Sequence, residues 1–458
     1  MSDSTHTLSS EFILPTNRGV GATAAELDPD APCVYLVGNS LGALSKRSET
    51  LVKEELGAWG LVGVEGHFDH GHPHARPWTK IQDQCTPLLA ALVGAREPEV
   101  ACMGTLTANL HLMLTTFYKP SAARYKILCE AKAFPSDQYA FASQAALHGL
   151  DPADAVLELA PRAGEYFLRE DDILRTIAAH GASIALVLLS GVQYYTGQLF
   201  PMAAITAAAR GAGCVCGWDL AHAVGNVPLR LHEWGADFAV WCTYKYLNSG
   251  PGGIGGLFVH ERWSGLQTPN AGWWGNPLET RFAMRPTFEA IAGAQGFQQS
   301  NPSVLAVAAL LGSLQVFQAA GLMPAVRARS EALTGALWAL LTGLDGWYVP
   351  LADAAARTAR PGFTIITTPA GAASEEERAA QRGAQLSLLF LPAGGEVMHQ
   401  VSRKLGAFGV LGDTREPDVI RLAPAPLYNS LRDCERAAGY LRRALEEVTA
   451  EWESERKV

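Results

Sequence analysis

Between about residues 99 and 259, short apolar runs of strand length alternate with longer helical patterns, as βαβ units and a largely parallel sheet require. The pattern predicts strands at 125–129 (YKILC), 184–190 (IALVLLS), 214–218 (CVCGW), 237–243 (DFAVWCT) and 255–259 (GGLFV). Ahead of them, residues 1–45 read as an arm ending in CVYLVGNSLGALS, a β-like run and a turn, with a helical pattern from Lys46 to about Trp59. Asn39, Ser40 and Gly42 are read there as turn and cap residues. Near residue 303 the texture changes to two long helical patterns, SVLAVAALLGSLQVFQAAG and MPAVRARSEALTGALWALLTG. Short strands follow at PGFTIITTP, QLSLLFLP and VIRLAPAP, with a charged loop GAASEEERAAQRG expected at the surface and a last amphipathic helix at about Ser430–Glu451. The fold class is therefore α/β, a mostly parallel sheet flanked by helices, with a smaller C-terminal α+β domain. The expected division is an arm at 1–45, a large domain at 46–305 and a small domain at 306–458.

Several of these strands end in chemically useful residues: Ser190, Asp219 and Lys245, with Phe134 shortly after the first. Ligands of open α/β sheets bind beyond the carboxyl ends of the strands, so these residues are expected to converge. A lysine at the end of a buried strand has its pKa lowered toward the neutral amine that attacks carbonyls, although a lone one ordinarily snorkels into water. Asp219 alone would be a helix N-cap. Together they match what pyridoxal phosphate requires, a Schiff-base lysine and a carboxylate that keeps the pyridine nitrogen protonated. Gly104-Thr105-Leu106-Thr107, opening a helical pattern, supplies hydroxyls and free amides for a phosphate. Phe134 suits a stacking role against the ring, a buried core phenylalanine being the alternative. Gly250, Gly252 and Gly255 have the spacing of a dinucleotide fingerprint but lead into another strand, so they are read as a tight reversal.

Composition narrows the partners. A chain of 458 residues with 48 % hydrophobic content can bury two cores, and a formal charge of −9 argues against nucleic acid or an anionic membrane as partner. A small-molecule substrate is the better fit. Residues 1–10 lack the features of a signal peptide and no apolar stretch has the length of a membrane span, so a cytoplasmic location is expected. The eight cysteines are scattered without paired clusters; Cys214 and Cys216 share a strand face but have no further ligand nearby. The loop EGHFDHGHPHARPW carries His67, His70, His72 and His74, and reads as solvated rather than metal-binding.

The motifs taken together identify a resemblance. YLVGNSLG (35–42), RPW (76–78), LTANLHLML (106–114), RYKIL and EAKAFPSD (124–137) and SGVQYYTGQ (190–198) resemble kynureninases. So do DLAHAVGN (219–226), WCTYKYLNSGPGGI (241–254), GWWG (272–275), SNP (300–302) and RLAPAPLYNS (421–430). The resemblance implies the aspartate-aminotransferase fold, pyridoxal phosphate, a homodimer with active sites built from both subunits, and hydrolysis of an amino-acid substrate in the kynurenine pathway. Kynurenine or 3-hydroxykynurenine would give alanine and anthranilate or 3-hydroxyanthranilate, in tryptophan catabolism or NAD biosynthesis. It makes Lys245 the Schiff base, Asp219 the pyridinium partner and Phe134 the ring stack. Leu106, Thr107, Asp137, Ser190, His222, Tyr244, Trp273 and Asn301 become cofactor contacts, and Tyr244 also a proton relay. Arg421 becomes the clamp of the substrate carboxylate. A loop histidine with Ser300 and Asn301 implies a preference for the 3-hydroxy substrate; counting from Trp59 selects His67, and counting back from Arg76 selects His70 or His72. The alternatives are a kynureninase for a further ring-substituted substrate, an aminotransferase, or a cysteine desulfurase. The last needs a reactive thiol on a loop, whereas the small domain has only Cys434, inside the terminal helical pattern.

Overall fold

Seven short strands form the central sheet of the computed structural model, which describes residues 8–368, 372, 374–394 and 396–455. Residues 1–7 of the expected arm and part of the charged loop at 371–383 lie outside the described residues. The strands are β1 (Val100–Cys102), β2 (Lys126–Glu130), β3 (Val156–Leu159), β4 (Ile184–Ser190), β5 (Val215–Asp219), β6 (Phe238–Cys242) and β7 (Gly255–Val259). Across the sheet their order is β1-β7-β6-β5-β4-β2-β3. Pairing from β6 through β3 is parallel, and β7 alone runs antiparallel to both its neighbours. Parallel strands buried on both faces read as continuous apolar runs, which is why β4, β5 and β6 were legible. The two strands the pattern missed carry little signal: β1 has three residues, and β3 is a half-buried edge containing Glu158.

Gly250 (φ 89°) and Gly252 (φ 66°) turn the chain between the antiparallel β6 and β7, so the reversal expected from sequence is present. Helices cover both faces of the sheet. Among them α1 (Lys46–Val62) is capped by the Ser45 hydroxyl, which accepts the amide of Ser48, and α2 (Leu106–Phe117) follows β1. Helix α3 (Pro135–Leu147) follows β2.

The small domain is an antiparallel sheet of β8 (Gly362–Ile365), β9 (Leu386–Leu391), β10 (Asp413–Arg415) and β11 (Val419–Leu422), in the order β8-β9-β11-β10. Its apolar face packs on α5 (Leu322–Thr342) and α6 (Leu431–Glu455), burying Leu333, Leu337, Phe390 and Leu445 in one cluster. The cores divide later than residue 306. Helix α4 (Val304–Ala319) is apolar almost all round and lies against α1, with Val307, Leu310 and Leu314 in the large-domain core. The change comes within α5, where Met323 and Val326 belong to the large core and Leu333 to the small one. No single helix among the described residues is long and apolar enough to cross a membrane; α4 and α5 are bent 76° from one another.

The arm is stitched into both domains. Phe12–Ile13 pairs with Leu44–Ser45, and Val34–Tyr35 pairs in parallel with Val410–Leu411 beside the small domain. The charged loop is less exposed than its composition suggests. Ser374 and Glu377 form a capping box on the helix Glu375–Ala380, and the Arg382 side chain is fully buried against Glu375.

Candidate active site

The carboxyl ends of the parallel strands meet at one edge of the sheet. Ser190 closes β4 and Asp219 closes β5 directly opposite it, while β6 runs on into Tyr244 and Lys245. Helix α2 brings Leu106 and Thr107, and its N-cap Thr105 makes no side-chain cap, leaving the first amides free. Phe134 and Asp137 arrive at the start of α3. One cavity is thereby lined by nine expected cofactor residues, Leu106, Thr107, Phe134, Asp137, Ser190, Asp219, His222, Tyr244 and Lys245, joined by Ser136, Val192, Tyr194 and Ala221. A larger hollow of about 920 Å³ lies near Leu168, Phe200 and Leu351, but its lining is mainly apolar and includes none of these groups. The chemistry is in the smaller one.

Lys245 donates from Nζ to His222 Nε2 at 2.8 Å, and its ammonium lies 5.9 Å from the Phe134 ring centroid. Burial lowers the Lys245 pKa, against the charges of Cys242 and Asp219 and with that of Arg421. Burial also pushes His222 well below its ordinary value, helped by the positive charges of Lys245 and Arg421, so the ring is neutral. Because Nε2 accepts from the lysine, Nδ1 carries the ring proton, and it is buried without an acceptor among the described residues. Asp219 accepts the Ala221 amide at 2.7 Å, the turn role expected for an aspartate at such a junction. Burial raises the pKa of Asp137 and Asp219, and the negative charge of Asp219 raises Asp137 further. Asp137 Oδ1 is buried with no donor. Burial pushes the Tyr244 phenol up, with Cys242 and Asp219 adding to it, so it stays protonated.

These features fit pyridoxal phosphate. Two buried carboxylates, one with an oxygen lacking a donor, suit a protonated ring nitrogen; the exposed face of Phe134 suits a stacked ring; and the α2 N-terminus, where Thr107 Oγ1 and Ser136 Oγ lie 2.7 Å apart, suits a phosphate. Glu130, which sequence reasoning passed over, ends β2 fully buried and accepts the Ser190 hydroxyl at 2.5 Å. The strand-end logic would have found it, had the strand been drawn one residue longer.

Arg421 stands just beside the cavity on β11, its side chain fully buried. Its guanidinium donates to Tyr194 O at 2.6 Å and pairs with Asp413, the residue opposite it on β10; Ser40 donates to the same carboxylate. The turn holding Ser40 lies against the lysine loop. Gly42 donates its amide to Tyr244 O at 2.8 Å, and a Cβ there would collide with the Lys245 carbonyl. Tyr194, Ser40 and Asp413 were not expected, since each reaches the site through tertiary contact alone.

Trp273, Ser300, Asn301 and His67 do not line this cavity. They belong to a second grouping in which the Trp274 amide contacts Gln299 O, Trp273 packs edge-on to Phe282 and Phe282 lies against Phe68, next to His67. Trp273 is 45 % exposed, and Asn301 Oδ1 has no partner. The loop histidines separate clearly: His72 is buried on Glu55, His70 is exposed beside Glu65, and His67 packs edge-on to Trp78. The one cluster of three ligand-type side chains among the described residues lies elsewhere, at Glu99, His232 and His260. Its Glu99 oxygens accept the amides of Arg96 and Glu261, and His260 Nδ1 accepts the amide of Arg262, so it ties loops at the far end of the sheet.

Comparison with known proteins bears on the same residues. The family model of the kynureninase C-terminal domain matches residues 326–441. A kynureninase from Yarrowia lipolytica is 52 % identical over 88 % of this chain and 92 % of its own. One from Myxococcus xanthus is 51 % identical over 89 % of each chain, and one from Saccharomyces cerevisiae 46 % identical over 96 % of this chain and 97 % of its own. Among solved structures, a C-DES variant with glycine covalently linked to its PLP cofactor superposes with a TM-score of 0.71 at 18 % identity, covering 90 % of this chain and 96 % of that one. An apo cysteine desulfurase from Thermococcus onnurineus NA1 gives 0.69 at 15 % identity, covering 91 % and 95 %.

The buried acids have a measurable consequence for protein stripped of any cofactor. A carboxyl whose folded pKa is raised stabilises the fold below its unfolded pKa, and that stability is lost as pH rises through the folded value. Asp137→Asn should therefore stabilise the stripped protein at neutral pH by about 1–3 kcal/mol, the cost of a buried polar group lacking partners, with the gain vanishing toward the ordinary carboxylate range. Thermal unfolding at several pH values checks this; an equal or lower midpoint for the variant at neutral pH contradicts it.

Proposed function

The chain belongs to the kynureninase family, and on that premise we propose how its residues divide the work. It is a pyridoxal phosphate-dependent hydrolase that splits the carbon–carbon bond of a kynurenine with water, giving alanine and an anthranilate. The observation that carries the proposed roles is the buried Lys245 facing His222 and the Asp137–Asp219 pair at the converging strand ends. The desulfurase-like backbone does not bring desulfurase chemistry. All eight cysteines are buried, and burial in the terminal helix pushes the Cys434 thiol up to about 12.

In the proposed assignment, Asp219 and Asp137 hold the ring nitrogen, Phe134 stacks on a ring face, and Leu106, Thr107 and Ser190 hold the phosphate side. Bound pyridoxal phosphate supplies an electron sink conjugated to the substrate α-carbon. Lys245 holds the cofactor and, once released, takes the α-proton as the neutral amine that its burial favours. His222 keeps that amine oriented through the 2.8 Å hydrogen bond. Tyr244, kept protonated by burial, donates toward the γ-carbonyl as water adds and returns a proton to the β-carbon after the bond breaks. Arg421 receives the substrate carboxylate, which a planar guanidinium fits in a bidentate manner.

We also infer a homodimer with shared sites. Trp273 and Asn301 lie outside the Lys245 cavity, yet one has an open ring face and the other an unpartnered oxygen, which a second copy would bring to its partner's cofactor. A cytoplasmic location is supported by the unpaired state of all eight cysteines.

His67 is the loop histidine best suited to the aromatic ring, since His72 is consumed by Glu55 and His70 lies in solvent. A pocket that reserves polar groups for a ring hydroxyl leaves them unpaired when it is missing, so 3-hydroxykynurenine is the proposed preferred substrate.

Three outcomes check this reading. Lys245→Ala and Asn301→Ala should each be severely impaired, and mixing the two should restore part of the activity through hybrid dimers; no recovery after confirmed subunit exchange would rule out shared sites. Arg421→Ala should raise KM by an amount equivalent to about 2–5 kcal/mol, the cost of stranding a buried charge partner, with the cofactor retained. An unchanged kcat/KM would remove the clamp. Finally, kcat/KM should be higher for 3-hydroxykynurenine than for kynurenine, and His67→Ala should narrow the gap. Equal values in the unsubstituted enzyme would sink the preference, and narrowing confined to His70→Ala would move the role along the loop.

A further inference from the structure

The loop that carries His67 is built around a single carboxylate. Glu55, its side chain fully buried on α1, accepts three hydrogen bonds from that loop: Trp78 Nε1 at 2.7 Å, Arg76 Nε at 2.7 Å and His72 Nε2 at 2.9 Å. The bonds fix the tautomer of His72, whose Nδ1 accepts the amides of His74 and Arg76 while its Nε2–H serves Glu55. Burial would raise the Glu55 pKa, but the hydrogen bonds from Trp78, Arg76 and His72 outweigh it and hold the carboxyl below its ordinary range. It is therefore ionised, with every bond from the loop charge-assisted.

Trp78 transmits this anchoring to His67. The indole edge meets the His67 ring at 5.1 Å and 82°, and a Cβ added at Gly66 would lie 2.7 Å from the indole, so the 66–67 backbone rests directly on Trp78. Thr79 Oγ1 donates to His67 O at 2.8 Å. The His67 Nδ1 lies 3.0 Å from Val64 O, which can only accept, so Nδ1 carries the proton and the neutral ring presents Nε2 as a bare acceptor. A phenolic O–H is the complementary donor.

We propose that Glu55 is a positioning residue for recognition of the substrate ring: by gathering Trp78, Arg76 and His72 it fixes where His67 stands and which nitrogen it offers to a ring hydroxyl. This rests on the assignment of His67 to the ring. Glu55 itself touches neither substrate nor cofactor; it acts through the loop.

The test is the ratio of kcat/KM for 3-hydroxykynurenine to that for kynurenine, measured on holoenzyme. Glu55→Gln keeps the shape but sets an amide donor against the indole, guanidinium and imidazole donors. The ratio should fall by about tenfold, the factor one ordinary hydrogen bond carries, while kcat/KM for plain kynurenine stays within about twofold. Combining Glu55→Gln with His67→Ala should lower the ratio no further than His67→Ala alone, and amide exchange across residues 63–79 should quicken in Glu55→Gln. A folded Glu55→Gln enzyme that keeps the ratio, or loses both substrates equally, overturns the proposal. If that variant does not fold, Trp78→Phe, which removes one donor, is judged by the same criterion. A ratio near unity in the unsubstituted enzyme is a distinct result: it removes the ring assignment of His67, and the role of Glu55 falls with it.

Discussion

A lysine and two aspartates kept from water at the end of one sheet are the constraint from which the rest of the structure follows. Charged groups without water need partners, and Lys245, His222, Asp137 and Asp219 supply only part of what they need to one another. The parallel sheet solves the placement. Adjacent strands deliver Ser190 and Asp219 in register, and β6 carries the lysine past its last ladder bond. Around this, the Asn39–Gly42 turn presses on the lysine loop and β11 brings a fully buried arginine alongside. Burial that costs stability in isolation gives the pocket its purpose, because it favours a neutral amine and leaves donors and acceptors open to a ligand.

The same backbone serves other chemistry. The C-DES structure shares this architecture at 18 % identity, so strand order alone cannot tell carbon–sulfur from carbon–carbon cleavage. In this chain the thiols are withdrawn into cores, and the groups gathered near the lysine are phenols, an imidazole and a guanidinium. The distinction lies in side chains set on strand ends and loops, which a superposition of backbones does not weigh.

How much could be read from the sequence followed the physics of each feature. Buried parallel strands such as β4 and β6 announce themselves as unbroken apolar runs, and Lys245 and Asp219 were visible because a charged residue interrupts each run at its end. The helix beginning at Lys46 was legible from its period and from Ser45 ahead of it. Glu130 was missed by a strand boundary one residue short, and Asp413 because β10 is a three-residue strand of polar residues. Counting along the chain left three histidines equivalent. What separates His72 from His67 is a carboxylate on another element, and no local pattern encodes that.

The arm gives the molecule a temporal property as well as a spatial one. Val34–Tyr35, just ahead of the turn that braces the lysine loop, finds its strand partner in Val410–Leu411, close to the other end of the chain. On a ribosome that pairing has to wait until nearly everything has been made, and so long-range a closure belongs to the slow class of contacts. The early segment therefore spends most of synthesis without its neighbour. The brace on the lysine loop is completed late, after the sheet beneath it, which makes full assembly of the pocket a report that the whole chain has arrived.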